Sequence, residues 1–134
     1  MNALTMGFRM THAIDPKDKI LQEIGDISGL NLFHNQVLVS IYQRPEKTAG
    51  GIILTPKTQK EDQFQGIVGL VLAVGPAAFV DDSINKFHGK TVKPGDWIVY
   101  RASDTHKISV NGTLCRLLED SHIKGTVSHP DLVF

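Results

Sequence analysis

The residues of this chain that could carry chemistry include six histidines, one cysteine and pairs of adjacent carboxylates. The histidines are His12, His34, His88, His106, His122 and His129. None is paired with a second ligand at the spacing that places two metal ligands on one face of a helix. Cys115 is the only cysteine, so no disulfide can form within the chain. We therefore expect ordinary surface or core histidines, a buried cysteine and no metal centre.

Two of the carboxylate pairs are Asp81-Asp82 and Glu119-Asp120. Adjacent side chains in a strand point to opposite faces, so these pairs are typical of turns rather than of an acid and a base acting together. The glycines of GIVGLVLAVGP do not have the spacing of a phosphate-binding loop, and Pro76 removes an N–H that such a loop needs. The sequence predicts no catalytic or cofactor-binding residue and no enzyme.

The composition is that of one globular domain with a hydrophobic core. The chain has 134 residues, of which 41% are hydrophobic, and its 14 basic and 14 acidic residues give a net charge of zero. This balance gives no electrostatic reason to expect nucleic acid or an anionic membrane as a partner. No apolar run approaches the roughly 20 residues that span a bilayer, and residues 1–19 lack the continuous apolar run that is typical of a signal peptide. A single cysteine favours a reducing compartment, so we expect a cytoplasmic protein.

One short helix is predicted near the N-terminus, in DPKDKILQEIGD. Asp15 can accept hydrogen bonds as the N-cap, Pro16 suits the first helical position and Gly25 is a typical stop. The apolar residues expected on one face are Ile20, Leu21 and Ile24. We expect this helix to pack on the rest of the domain.

The remaining periodic segments predict short strands. They are NQVLVSIYQ, GIVGLVLAVG, DWIVYR, KISV, TLCRLL and HIKGTV. Asn111-Gly112 lies between two of them and predicts a hairpin, because both turn positions require positive φ. Pro94-Gly95 predicts a turn that Asp96 fixes through its own backbone. The chain is therefore predicted to be all-β, either a small barrel or a sandwich.

The stretch EKTAGGIILTPKTQKEDQFQG, residues 46–66, has two interpretations. GIILT could be a short edge strand whose aliphatic side chains face the core. Alternatively, the stretch is a flexible loop that presents an aliphatic triplet to another protein, since Gly50-Gly51 is permissive and Pro56 cannot donate to a strand ladder. Exposed apolar groups of this kind often mark a partner site.

Four segments, in order, resemble the GroES co-chaperonins. HNQVLV is similar to the first barrel strand of that family, and KTAGGIILT to its mobile loop. GLVLAVG resembles the strand that closes the loop, and VKPGDWIVY the strand that follows its Gly-Asp turn. The resemblance spans about residues 31–127.

The resemblance implies a small, partly open β-barrel with a mobile loop at about residues 43–66. Such subunits form a homo-heptamer that caps a GroEL-type chaperonin ring and encloses a client protein. The partner uses ATP and Mg, whereas the subunit has no cofactor of its own. The implied contact with the apical domain of the chaperonin involves Gly50, Gly51, Ile52, Ile53 and Leu54. Neighbouring subunits are expected to pair terminal strands, here near residues 31–34 and 122–127.

The chain also departs from the family pattern. Residues 1–30 form an N-terminal extension with the short helix, and residues 128–134 form a C-terminal tail. Residues 76–91, where the family has a roof hairpin, lack the expected turn dipeptide, so whether the hairpin forms stays open. Such divergence would suit a phage-encoded version. Two other classes of protein with the same barrel are alternative interpretations. One is a virion structural or interaction protein. The other is the catalytic domain of medium-chain alcohol dehydrogenases, which requires zinc ligands that Cys115 alone does not supply.

Overall fold

The computed structural model describes residues 14–43 and 67–133, which form one short helix and six strands. The elements are α1 (Pro16–Ile24), β1 (Gln36–Ile41), β2 (Val68–Val74), β3 (Trp97–Tyr100), β4 (His106–Val110), β5 (Thr113–Glu119) and β6 (Ile123–Val127). Three single 3-10 turns lie at residues 102–104, 120–122 and 130–132. The predicted all-β class with a short N-terminal helix is confirmed.

The strands form one antiparallel sheet in the order β4-β5-β1-β2-β3-β6. β1 lies inside the sheet, where it pairs with β5 on one side and β2 on the other. The register of β1 against β2 shifts after Leu38, which marks a bulge that increases the local twist. Within the described residues, β4 and β6 each have one strand neighbour and are the two edges of the sheet.

Two turns form as the sequence predicts. Between β4 and β5, Asn111 has φ 50° and Gly112 has φ 78°, which are the positive values that a two-residue hairpin of this kind requires. Before β3, Gly95 has φ 99°, and the Asp96 carboxylate accepts a hydrogen bond of 3.0 Å from the Lys93 N–H. Local chemistry therefore fixes the start of β3 and the pairing of β4 with β5.

The sheet is buried on both of its faces. One face, called the helix face here, carries a cluster of Ile20, Ile24, Leu38, Tyr42, Val68, Leu70, Leu72, Trp97 and Cys115. The opposite face carries a second cluster of Val37, Val39, Val71, Val92, Ile98, Tyr100 and Leu118. Val37, Leu38 and Val39 of β1 alternate between these clusters, and five of the six residues of β1 are buried. A strand that is apolar on both sides must be covered on both sides.

Helix α1 covers part of the helix face. Its N-terminus has the predicted cap, because the Asp15 side chain accepts hydrogen bonds from the backbone N–H groups of Lys17 and Asp18. Ile20 and Ile24 are buried, as expected for residues four positions apart. The expectation for Leu21 is wrong: its side chain is 45% exposed. One residue step turns a helix by about 100°, so Leu21 lies at the side of the narrow stripe that touches the sheet.

The hairpin between β4 and β5 also holds the end of α1. The Asn111 side-chain amide donates hydrogen bonds to the carbonyl oxygens of Ile24, at 2.7 Å, and Asp26, at 3.0 Å. The last carbonyls of a helix lack partners within the helix, so these bonds stabilise its end. Asn111 therefore forms the turn and attaches the N-terminal extension to the sheet.

Residues 76–91, which the structure describes completely, contain turns and no strand. The Asp82 carboxylate accepts hydrogen bonds from the N–H groups of Ile84 and Asn85, and Asp81 accepts one from Phe87. The first carboxylate pair is thus a pair of turn residues, as predicted. No roof hairpin forms in this stretch, which answers the question that the sequence left open.

Candidate functional site

The residues predicted to contact a partner lie outside the described residues. They are Gly50, Gly51, Ile52, Ile53 and Leu54, within residues 44–66. Of the predicted loop at 43–66, only Gln43 is described, and the choice between a docking loop and an edge strand stays a prediction. The structure does describe both ends of this connection between β1 and β2.

The two ends of the β1–β2 connection are joined by backbone hydrogen bonds. The Tyr42 N–H donates to the carbonyl oxygen of Val68 at 3.1 Å, one residue beyond the end of β1. On the return side, the carbonyl oxygen of Ile67 accepts from the Tyr100 N–H at 2.9 Å, which ties the chain to β3. We call these hydrogen-bonded ends, Tyr42 on one side and Ile67 and Val68 on the other, the root of the connection. Any partner contact made by residues 44–66 is therefore made from a root that is closed by hydrogen bonds between two adjacent strands.

Tyr42 is the side chain that anchors this root. It is 2% exposed, and its ring meets the Trp97 indole edge to face, with centroids 5.8 Å apart and planes at 78°. Its hydroxyl donates a hydrogen bond to the Asp131 carboxylate at 2.5 Å. Buried aromatic contacts of this kind stabilise a structure beyond the area they bury. The alternating pattern of NQVLVSIYQ places Tyr42 on a strand but does not identify its partners.

The partner of Tyr42 comes from the C-terminal segment, residues 128–133. This segment forms the 3-10 turn Pro130–Leu132, in which Pro130 is buried. The Asp131 side chain has no accessible surface, and its N–H donates to His129 Nδ1 at 3.1 Å. A motif search cannot find this contact, because Tyr42 and Asp131 are 89 positions apart.

Burial shifts the pKa values of two side chains in the sheet, Tyr100 and Cys115. Burial raises the pKa of the Tyr100 phenol to about 12, partly opposed by the nearby Arg116 guanidinium, whose Nη1 donates to Thr105 Oγ1 at 2.9 Å. Burial likewise raises the pKa of the Cys115 thiol to about 11. Both groups are protonated near neutral pH, so the thiol has little nucleophilic thiolate. The expectation that Cys115 is a small buried side chain is confirmed.

Asp120 is a buried carboxylate that connects three parts of the chain. It is 4% exposed, and it accepts hydrogen bonds from the Asn35 side-chain amide at 3.2 Å and the Phe79 N–H at 2.9 Å. It thereby ties the end of β5 to the start of β1 and to residues 76–91. The arrangement is structural, since all of these contacts lie within the fold.

A cleft of about 650 Å³ lies between residues 79–92 and the edge strand β6. Its lining combines aromatic side chains, Phe79 and Phe87, with the three lysines Lys86, Lys90 and Lys124. Among residues 14–43 and 67–133, no group of three His, Cys, Asp or Glu side chains could hold a metal ion. In the same ranges, no helix has the length and hydrophobicity required to cross a bilayer.

Comparison with known proteins assigns the chain to a family. The sequence profile described as "Chaperonin 10 Kd subunit" matches residues 30–127. Co-chaperonin GroES 2 of Mesorhizobium japonicum is 35% identical over 94 residues, which cover 70% of this chain and 85% of that protein. This chain belongs to the chaperonin 10 family. Co-chaperonin GroES of Pelagibacter ubique is similarly 33% identical over 92 residues, covering 69% of this chain and 90% of that protein.

The matched range of this chaperonin 10 chain omits two segments that the structure packs on the sheet. Residues 14–29 contain α1, and residues 128–133 contain the partner of Tyr42. Hydrophobic side chains of both segments, such as Ile20 and Val133, contact the cluster on the helix face. The recognition of a GroES-type co-chaperonin from sequence is confirmed, and the structure adds how its two extra segments attach.

Proposed function

We propose that this chaperonin 10 chain assembles into a ring, expected to be a heptamer, that caps an ATP-bound GroEL-type chaperonin and encloses a client protein. The docking residues are Gly50, Gly51, Ile52, Ile53 and Leu54. The subunit contributes no cofactor, and ATP and Mg belong to the chaperonin. Its role is binding rather than catalysis. The proposal is supported by the family match and by relatives that are named co-chaperonins.

The observation that carries the proposal is the closed root of the β1–β2 connection. Tyr42 and Val68 are hydrogen-bonded to each other, so the intervening 25 residues, 43–67, leave the sheet and return to it at neighbouring positions. The connection contains Gly50-Gly51 followed by the aliphatic triplet. A segment that becomes ordered on binding gives weak individual contacts. Several copies on one ring raise the overall affinity through effective concentration.

Ring assembly is proposed through the edges of the sheet. β6 pairs with β3 on one side, and the described residues supply no strand on its other side. Unpaired edges favour association with another strand. In the proposed ring, the segment near residues 31–34 of one subunit pairs along β6 of its neighbour. Light scattering at micromolar concentration checks this step, and a strict monomer would contradict it.

The test of docking compares the wild-type chain with a variant in which Ile52, Ile53 and Leu54 are all replaced by Ser. Burying one large aliphatic side chain is worth roughly 1.5–3 kcal/mol, so the variant should lose at least a hundredfold in affinity for a chaperonin ring with ATP. Its melting temperature should stay near that of the wild type. The matched control is Ile84→Ser, since Ile84 is 85% exposed and lies in the segment before β3.

The probe is the GroEL-type chaperonin of Mesorhizobium japonicum with ATP, and the co-chaperonin of that organism serves as the positive control. Binding of wild type and Ile84→Ser, together with loss of binding by the triple variant, supports the proposal. A large fall in the melting temperature of the triple variant would mean that the triplet is a core strand. Ring assembly without any ATP-dependent binding would favour a structural or interaction protein instead.

A further inference from the structure

The C-terminal segment ends beside the root of the β1–β2 connection. The hydroxyl of Tyr42, the residue that follows β1, donates to Asp131 Oδ1. The Asp131 side chain is completely inaccessible, and that of Tyr42 is 2% exposed. A buried hydroxyl and a buried carboxyl group that are hydrogen-bonded to each other are costly to separate, because neither group can turn to water instead.

The position of Asp131 is itself fixed by its neighbours in sequence. His129 precedes the 3-10 turn, and its Nδ1 accepts the Asp131 N–H at 3.1 Å. The same ring nitrogen lies 3.7 Å from Asp131 Oδ2. Pro130 is buried at the first position of the turn, where its fixed φ suits the geometry. The carboxylate is therefore presented to Tyr42 by a short, braced turn and not by a free chain end.

We propose that Asp131 is a positioning residue for partner docking: by holding Tyr42, the C-terminal segment fixes the root from which the β1–β2 connection reaches its partner. The inference rests on the proposed function. Fixing the backbone of a residue before binding removes part of the entropy that binding would otherwise cost. Residues 128–133 lie outside the range that the family profile matches, so the contact of Asp131 with Tyr42 is specific to chains that have such a C-terminal segment.

The proposal predicts the effect of removing either partner. Asp131→Asn keeps the size of the side chain but replaces one carboxyl oxygen with an NH2 group, and Tyr42→Phe removes only the hydroxyl. Each change should weaken docking to the chaperonin ring about tenfold, because the root residues must then be ordered during binding. The double variant should lose little more than either single variant, since both changes alter the same contact. Tyr42→Phe keeps the buried ring and its contact with Trp97, so it should fold even where Asp131→Asn does not.

A matched control is available at the other extension. Asn111→Gly removes the two hydrogen bonds that hold the end of α1, and glycine tolerates the positive φ of that position. This variant should lose stability without a change in docking. It therefore separates an effect on the root of the connection from a general loss of stability.

The experiment uses the full chain with two readouts. Hydrogen exchange of the free protein should show faster exchange at the amides of Tyr42 and Gln43 in Asp131→Asn and Tyr42→Phe, but not in Asn111→Gly. ATP-dependent binding to the chaperonin of Mesorhizobium japonicum should then weaken in the first two variants only. Equal binding by wild type and all variants would overturn the inference and leave the proposed function intact. Failure of the wild type itself to bind would overturn both.

Discussion

Gly75 offers the sharpest test of the packing at the end of β2. A Cβ atom at this position would lie 2.4 Å from the carbonyl oxygen of His34, 3.0 Å from that of Gln36 and 3.1 Å from that of Phe33. The Gly75 N–H also donates to the Gln36 carbonyl oxygen at 2.7 Å, which holds the two chains together. All three close atoms belong to the backbone, so no side-chain rotation can make room for a methyl group.

The expected cost of Gly75→Ala follows from this geometry. Overpacking in a tight site typically costs about 1–3 kcal/mol, and a clash with backbone atoms belongs at the upper end of that range. For a chain of this size, about 3 kcal/mol corresponds to a fall of roughly 10 °C in the melting temperature. Gly29→Ala is the matched control, because a Cβ there meets nothing within 4 Å and its φ is not positive. That change should be neutral or stabilise by about 0.4–1 kcal/mol.

The assay is urea unfolding followed by circular dichroism, with thermal melting of the same three proteins. Wild type and Gly29→Ala should unfold at nearly the same urea concentration, and Gly75→Ala should unfold much earlier. If Gly75→Ala and Gly29→Ala melt within about 2 °C of each other, the close approach of residues 33–36 to the end of β2 is wrong.

Three further predictions concern buried groups and the β1–β2 connection. Asp120→Ala should lower the free energy of unfolding by about 3 kcal/mol, since the Phe79 N–H loses its acceptor, and Asp120→Asn should cost less; urea unfolding measures both. The folded-state pKa values of Cys115 and Tyr100 lie above their usual 9.0 and 10.0, so the free energy of unfolding should be highest below about pH 9 and should fall as the pH rises to about 12. A free energy of unfolding that does not change between about pH 9 and 11 would contradict this. Trypsin should cut first at Lys57 or Lys60, with protection by chaperonin and ATP; equal resistance along the chain would favour the edge strand.

The local elements of this fold could be predicted because each depends on residues that are close in sequence. The Asp15 cap, the Asn111-Gly112 hairpin and the Asp96 turn all form as expected. Strand positions followed from runs of β-branched and apolar residues. The placement of Leu21 was wrong because periodicity identifies a face of the helix but not the width of the stripe that a sheet covers.

The long-range contacts that attach the two extra segments to the sheet could not be predicted in the same way. Asn111 meets the end of α1 across 87 positions, and Tyr42 meets Asp131 across 89. No local pattern specifies which distant residue satisfies a buried hydroxyl or a helix end. One signal was available nonetheless: β1 and β2 carry apolar residues on both of their sides, which indicates that both faces of the sheet are covered.

The apolar residues on both sides of β1 and β2 also explain why the two extra segments pack on the sheet. The sheet has an apolar helix face that includes Leu70 and Trp97, and water would contact such a face if nothing covered it. α1 covers it with Ile20 and Ile24, and the C-terminal segment adds Val133. Each segment is also held by a polar contact, at Asn111 and at Asp131. Burial supplies most of the attraction, and the hydrogen bonds fix where each segment ends. Because the second of these contacts is made at the root of the proposed docking connection, we expect changes in the packing of the helix face there to affect docking as well.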